Sequence, residues 1–340
     1  MKKNKIVIFV IFFTCTVFAQ NIPPKWLADP TIRYNKNLYI VSLGSGSTRK
    51  IAEKDALARM ALIFKSKVNV NNTLIKNYEE HANEDVSTLK KIVLTIDKTH
   101  ISSKQNLINV KFGESYTDPN QSIHVLAYID RMETIEIYNK KIIENDNRFL
   151  FYLNKGMAYL DPIKKYSYIR AAFQISKENE KLLNVAAIIN PGFVVSPKGL
   201  HEYPSTKDKM LTQARKVTFS INITNDEDYV LSKSLKQLLT ELGFVVKKNA
   251  LLTISGKFNI HNLTLPRKGK FANWNLSLDL FNNSHNLIFS TTQDGREGHI
   301  TKIGAWQRCK RSAKHYILNN YYSKLLNYFD KTSKFNRINN

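Results

Sequence analysis

The sequence predicts an α+β protein: two small α+β domains, each with helices packed on an antiparallel-leaning sheet, joined by a helical hairpin. Three observations predict it. Strand-like runs cluster in two separated regions, around 38–129 and 217–291, each with a helical repeat beside them. Residues 132–190 between them carry helical periodicity and no strand signal. The length, 340 residues, suits about two domains at roughly 150 residues each.

The first 19 residues read as an export signal. Lys2, Lys3 and Lys5 precede an unbroken apolar run from Ile6 to Phe13, and Val17-Phe18-Ala19 offers a small residue before a cut. Cleavage between Ala19 and Gln20 is expected. The rival reading makes Cys15 the lipid-bearing first residue, but Phe13-Thr14 stands where lipoprotein signals prefer a small residue. No later stretch reaches about 18 consecutive apolar residues, so no spanning helix is expected after the signal. Export leaves Cys309 as the one thiol, expected to be buried as a small hydrophobe.

The expected domains follow in order. In 20–131, Leu38–Leu43 reads as a buried strand turned by Gly44-Ser45-Gly46-Ser47, with Ser47 as N-cap of a helix to about Lys67. Ala52, Ala56, Met60 and Phe64 give that helix its apolar stripe. Val68 and Val70 suggest a strand leaving it, and Leu107–Phe112 and Ile123–Ile129 read as strands around an Asp118-Pro119-Asn120 turn. In 132–190, helices Glu133–Tyr159 and Ile163–Ile189 flank Asp161-Pro162. Residues 191–215, rich in Pro and Gly, read as a linker.

In 216–330 the expected order is strand Val217–Ile223, helix Tyr229–Leu242 ending at Gly243, then strands Phe244–Lys247, Leu251–Ile260, Trp274–Phe281 and His285–Thr291. A long helix follows Gly304, and 331–340 reads as a flexible tail.

Composition excludes several classes. With 43% apolar and 23% charged residues the chain is not wholly disordered, and two cysteines cannot build a disulfide scaffold or a cysteine-held metal cluster. The charge is unusual: 51 Lys+Arg against 28 Asp+Glu, net +23, or +20 once the signal lysines are removed. Asparagine makes up about a tenth of the chain, a bias that an AT-rich genome also produces.

No catalytic, cofactor or metal site emerges. Gly44-Ser45-Gly46 lacks the third glycine of a dinucleotide turn, because Arg49 stands there, and no acid follows at the required distance. Anion binding by the helix amides with Arg49 and Lys50 is the residual use of that turn. Ser45 sits between glycines one residue too close for a nucleophile elbow. The eight histidines, His81, His100, His124, His201, His261, His285, His299 and His315, occur singly, and His124 reads as a hydrogen-bonded sheet residue. The signal that stands out is Arg308, Lys310, Arg311 and Lys314 beside Trp306, Tyr316, Tyr321 and Tyr322, a possible contact for an anionic surface. A core-packing helix with a merely lysine-rich outer face is the plainer reading.

Pro24-Lys25-Trp26, then Tyr39-Ile40-Val41-Ser42-Leu43-Gly44-Ser45-Gly46-Ser47 running into an alanine-spaced helix, and later Val125-Leu126-Ala127-Tyr128-Ile129-Asp130, resemble the Lpp-twenty family of bacterial surface lipoproteins. The amino-terminal domain of flagellar assembly protein T is similar over the same region, about 23–140. The C-terminal part is loosely similar to periplasmic α+β domains of that flagellar protein and of outer-membrane activators of peptidoglycan synthases. The resemblance implies an envelope protein that acts through contacts, periplasmic or outer-membrane-associated, with no catalytic residues to transfer. The expected function is therefore non-enzymatic: a structural or assembly factor binding envelope proteins or an anionic envelope surface, with peripheral membrane association possible and nucleic acid excluded by export. A regulator docking on a peptidoglycan synthase is the alternative, and an uncharacterised hydrolase stands behind both.

The mature protein is expected to begin at Gln20 and to carry no lipid. Intact-mass measurement on protein from the native envelope checks this, and a diacylated Cys15 terminus would refute it.

Overall fold

The computed structural model describes residues 22–79, 107–266 and 268–335, and chain contacts divide these into two units, 22–66 with 107–131 and the remainder. The architecture is α+β with two antiparallel-leaning sheets, as the patterning predicts.

In the first unit the single turn α1 (Lys25–Ala28) buries Trp26. Strands β1 (Tyr39–Gly46), β2 (Lys111–Thr117) and β3 (Ile123–Asp130) form an antiparallel sheet in the order β1-β3-β2. The apolar run Val125, Leu126, Ala127 and Ile129 is buried because β3 is the central strand. Helix α2 (Arg49–Glu79) supplies Ala52, Ala56, Met60 and Phe64 to the core, each fully buried.

Four local expectations change here. Gly44 and Gly46 do not turn the chain but belong to β1. A Cβ on Gly44 would lie 2.2 Å from Ala52 O and from Ala56 N, so the glycine is there to let the helix backbone touch the strand. Ser42 Oγ completes that contact by donating to Ala56 O at 2.8 Å. The cap is Thr48 rather than Ser47: its Oγ1 accepts from Ile51 N at 3.3 Å. The backbone stays helical through Val68 and Val70 to Glu79, because no Gly or Pro lies between Arg49 and Glu79 and a β-branched residue costs only a few tenths of a kcal/mol. Strand β2 begins later than expected because Asn109 is left-handed at φ 64°.

In the second unit, α3 (Arg131–Ala158) and α4 (Pro162–Ile189) make the expected hairpin. Asp161 Oδ1 accepts from Lys164 N at 2.7 Å and Pro162 occupies the first turn, which starts α4 sharply. Residues 191–215, expected as a linker, are folded: α5 (Tyr203–Ala214) lies against α4. The physical reason is a buried polar network. Asp146 on α3 accepts from Gly199 N at 3.1 Å and from Tyr203 Oη at 2.8 Å, and Asn179 on α4 donates to that Oη at 2.7 Å. The proline and glycine chemistry there shapes a loop clamped by a buried carboxylate.

The second sheet runs β5-β4-β6-β7-β8, from β4 (Thr218–Thr224), β5 (Val245–Val246), β6 (Leu252–Leu263), β7 (Lys270–Asn282) and β8 (Leu287–His299). Strand β4 is parallel to both β5 and β6, and β6-β7-β8 is an antiparallel meander. Helix α6 (Val230–Glu241) is the crossover between β4 and β5, and Gly243 leaves it at φ 85°, a left-handed position suited to glycine. Helix α7 (Lys302–Tyr316) is capped by Thr301 Oγ1, which accepts from Gly304 N at 3.1 Å. It continues through a π-helical segment, Ile317–Tyr321, into α8 (Tyr322–Thr332). Cys309 is buried, as expected, and burial pushes its thiol up to about 11.

One core joins hairpin and sheet. Tyr166 of α4 packs with Phe244 and Phe329, ring centroids 5.0 and 4.8 Å away. Burial pushes its hydroxyl up to about 12. Beside it Arg170 pairs with Asp330, at side-chain exposures of 6% and 5%. The pair also corrects the expected tail at its start. Ser333 and Phe335 are buried, and Phe335 meets Tyr152 edge-on at 5.6 Å. Residues 336–340 lie outside the described residues.

Replacing one partner, as Arg170→Met or Asp330→Leu, should cost roughly 3–5 kcal/mol, because it strands a buried charge. The double variant should recover most of that loss. Urea unfolding followed by tryptophan fluorescence reads it, and single losses that simply add in the double variant would contradict the coupling.

Candidate functional site

The C-terminal helix disperses the basic cluster expected on it. Arg308 is exposed along its length but its Nη1 donates to Gly298 O at 2.7 Å. Lys310 pairs with Asp228 in the turn before α6. Arg311 and Lys314 are exposed. The aromatic residues do not share this face. Tyr316 and Tyr321 are buried in the core, while Trp306 is half-buried and donates from Nε1 to Asn262 Oδ1 at 2.9 Å. Residues that alternate along one helix thus separate into an inner aromatic side and an outer basic side.

A denser positive site forms where the sheet ends. Beside the edge strand β5, a groove of about 440 Å³ is lined by Lys233 and Lys236 of α6, Lys247 and Lys248 after β5, and by Tyr229, Ile221 and Val246 among others. Lys233 and Lys236 stand three residues apart and share a helix face. All four lysines are exposed, and among the described residues no carboxylate pairs with them. Two of the three acids before α6 are engaged elsewhere. Asp226 is buried and accepts from Leu231 N at 3.2 Å and Ser232 N at 2.8 Å, while Asp228 holds Lys310. Tyr229 is left-handed at φ 55°, and the residue is 66% exposed at the groove. Sequence patterning missed this site because two short lysine pairs become neighbours only through the β4-α6-β5 crossover.

In the first unit the structure assembles a constellation the sequence hid. His124, directly opposite Ser45 in the β1–β3 register, has Nδ1 3.2 Å from Ser45 Oγ and Nε2 3.2 Å from Asp118 Oδ2. It is the hydrogen-bonded sheet histidine expected from its strand. Ser45 N donates to Asp55 Oδ2 at 2.9 Å. Asp118 is a turn residue whose Oδ1 accepts from Ser122 N at 2.8 Å. Its bond to His124 and that amide hold its carboxyl below the ordinary range, and the Ser45 amide does the same for Asp55.

Arg49, expected to help an anion at the α2 amino terminus, pairs instead with Glu53 at 2.8 Å and reaches Ser115. Among the described residues no group of three His, Cys, Asp or Glu side chains could hold a metal, and no helix is long and apolar enough to cross a membrane. Ala19, Gln20, Cys15, His81 and His100 lie outside the described residues.

No protein family and no curated protein matches the chain. Among solved structures it is similar to the secreted protein HP1454 from Helicobacter pylori, at 12% identity and a TM-score of 0.38 over 87% of this chain and 95% of that one. A minor lipoprotein from Acinetobacter baumannii is similar at 11% identity and a TM-score of 0.24, over 34% of this chain and 93% of the other. The lipoprotein GNA1162 from Neisseria meningitidis is similar at 9% identity and a TM-score of 0.23, over 31% and 99%. Likenesses this weak carry no functional argument.

The first unit should lose stability in acid. Carboxyls held low in the folded state stabilise it above their unfolded value, near 3.8, and that contribution disappears as pH falls through the folded value. Hydrogen-exchange protection of β1 and β3, corrected for intrinsic rates, should fall below about pH 4. Asp55→Asn should flatten the dependence, and an unchanged profile in that variant would show that Asp55 is not its source.

Proposed function

We propose that the chain is an exported, non-enzymatic bacterial envelope protein that works by binding other envelope components. The observation that carries this reading is the amino-terminal signal pattern, with Lys2, Lys3 and Lys5, the apolar run Ile6–Phe13 and Ala19 before the cut. The resemblance of the Trp26 and Tyr39–Ser47 segments to the Lpp-twenty family supports the same compartment. The net charge of +20 after cleavage favours anionic surfaces such as lipid headgroups or wall polymers, through attraction that salt screens over about 8 Å at physiological strength. Peripheral attachment suits that charge.

Affinity purification of the full chain from crosslinked envelopes tests the proposal. The expected result is recovery from the envelope fraction with a defined set of envelope proteins, part of the attachment being released by high salt. Recovery from the cytosol with residues 1–19 still attached would overturn it.

A further inference from the structure

We propose that the groove formed by Lys233, Lys236, Lys247 and Lys248 is a binding site for phosphate esters. Four lysine side chains line one groove of about 440 Å³ with no carboxylate among the residues lining it. Like charges crowded in this way repel one another unless an anion joins them, and a concave site focuses their field on that anion. Neighbouring acids could have neutralised the groove, yet Asp226 is turned to the helix amides and Asp228 to Lys310. Glu227, between them, is exposed and is not among the residues lining the groove, so the four lysines meet no carboxylate there.

The chemistry of the lining narrows the anion. No arginine lines the groove, so the planar fork that suits a carboxylate is missing. Lysines are point charges with three rotatable donors each, which fit the several oxygens of a phosphate from different directions. Four charges match a diphosphate, or a phosphate monoester with a second anionic group, better than one carboxylate. Ile221, Val246 and the exposed Tyr229 give the organic part of an ester an apolar surface. The volume falls in the small-ligand range of roughly 300–1,000 Å³. Such an ester could be a free metabolite or the headgroup of a lipid.

The proposal rests on the binding function above, but the two fail separately. The mature full-length chain is titrated calorimetrically with inorganic pyrophosphate, and in parallel floated with phosphatidylglycerol vesicles. The parent protein, Lys233→Gln/Lys236→Gln, Lys247→Gln/Lys248→Gln and the charge-matched control Lys140→Gln/Lys141→Gln, two exposed lysines of α3, are compared, with thermal unfolding as the check on folding. Each groove pair should weaken pyrophosphate binding at least about tenfold, while the control stays within about twofold. Vesicle binding lost in the groove pairs alone also supports the site and identifies a lipid headgroup as the source. Equal loss in groove and control variants would show only net charge at work and overturn the proposal, as would binding to neither probe. A chain that stays in envelope complexes while its groove pairs bind pyrophosphate like the parent keeps the binding function and loses this site.

Discussion

The buried pair of Arg170 and Asp330 constrains more of the second unit than any other contact. The two residues lie 160 positions apart, one on the hairpin and one on the last helix, and neither charge can be left alone in that environment. Satisfying both requires α8 to lie along α4, and that placement brings Phe329 onto Tyr166 and Phe244. It also draws Ser333 and Phe335 in behind it. Buried ion pairs contribute little net stability compared with apolar packing, but they discriminate strongly against misplaced neighbours. Here the discrimination acts on a helix that must serve two surfaces.

That double service explains the π-helical segment. Helix α7 lays Ala305, Cys309 and Ala313 on the sheet, residues four apart as an α-helical stripe requires. Continued without interruption, the same stripe would keep facing the sheet. The segment Ile317–Tyr321 inserts an extra residue into the turn and shifts the following face by about 100°. Leu325 and Phe329 continue in the core shared by sheet and hairpin, and Asp330 meets Arg170 of the hairpin. Tyr321 lies in this segment, and its buried hydroxyl has no hydrogen-bond partner among the described residues and is pushed well above its ordinary range by burial.

What was legible in the sequence followed periodicity. The stripe Ala52, Ala56, Met60, Phe64, the apolar run of β3 and the β-α-β-β-β-β-α order all express one face buried against one neighbour, which the two periods report directly. Features decided by the partner rather than by the segment were not legible. Gly44 looks like a turn glycine until helix α2 is seen resting on it. The 191–215 segment has loop composition, and only Asp146 on another helix shows that it is clamped. The parallel pairing of β4 with β5 leaves no local trace, nor does an ion pair that joins residues 160 apart.

The same distinction governs the charge. A run such as Arg308, Lys310, Arg311 and Lys314 is conspicuous in the chain, yet a helix presents it to whatever acids and carbonyls lie alongside. Gly298 O and Asp228 take two of the four. Lys233, Lys236, Lys247 and Lys248 are inconspicuous in a chain with 51 basic residues, but the crossover sets them around one concavity with no acid in the lining. Net charge acts at long range and is screened by salt, whereas unpaired charge inside a groove acts at contact distance, where screening is weakest. Specific recognition by this chain therefore depends less on how many lysines it has than on where the fold leaves them unpaired.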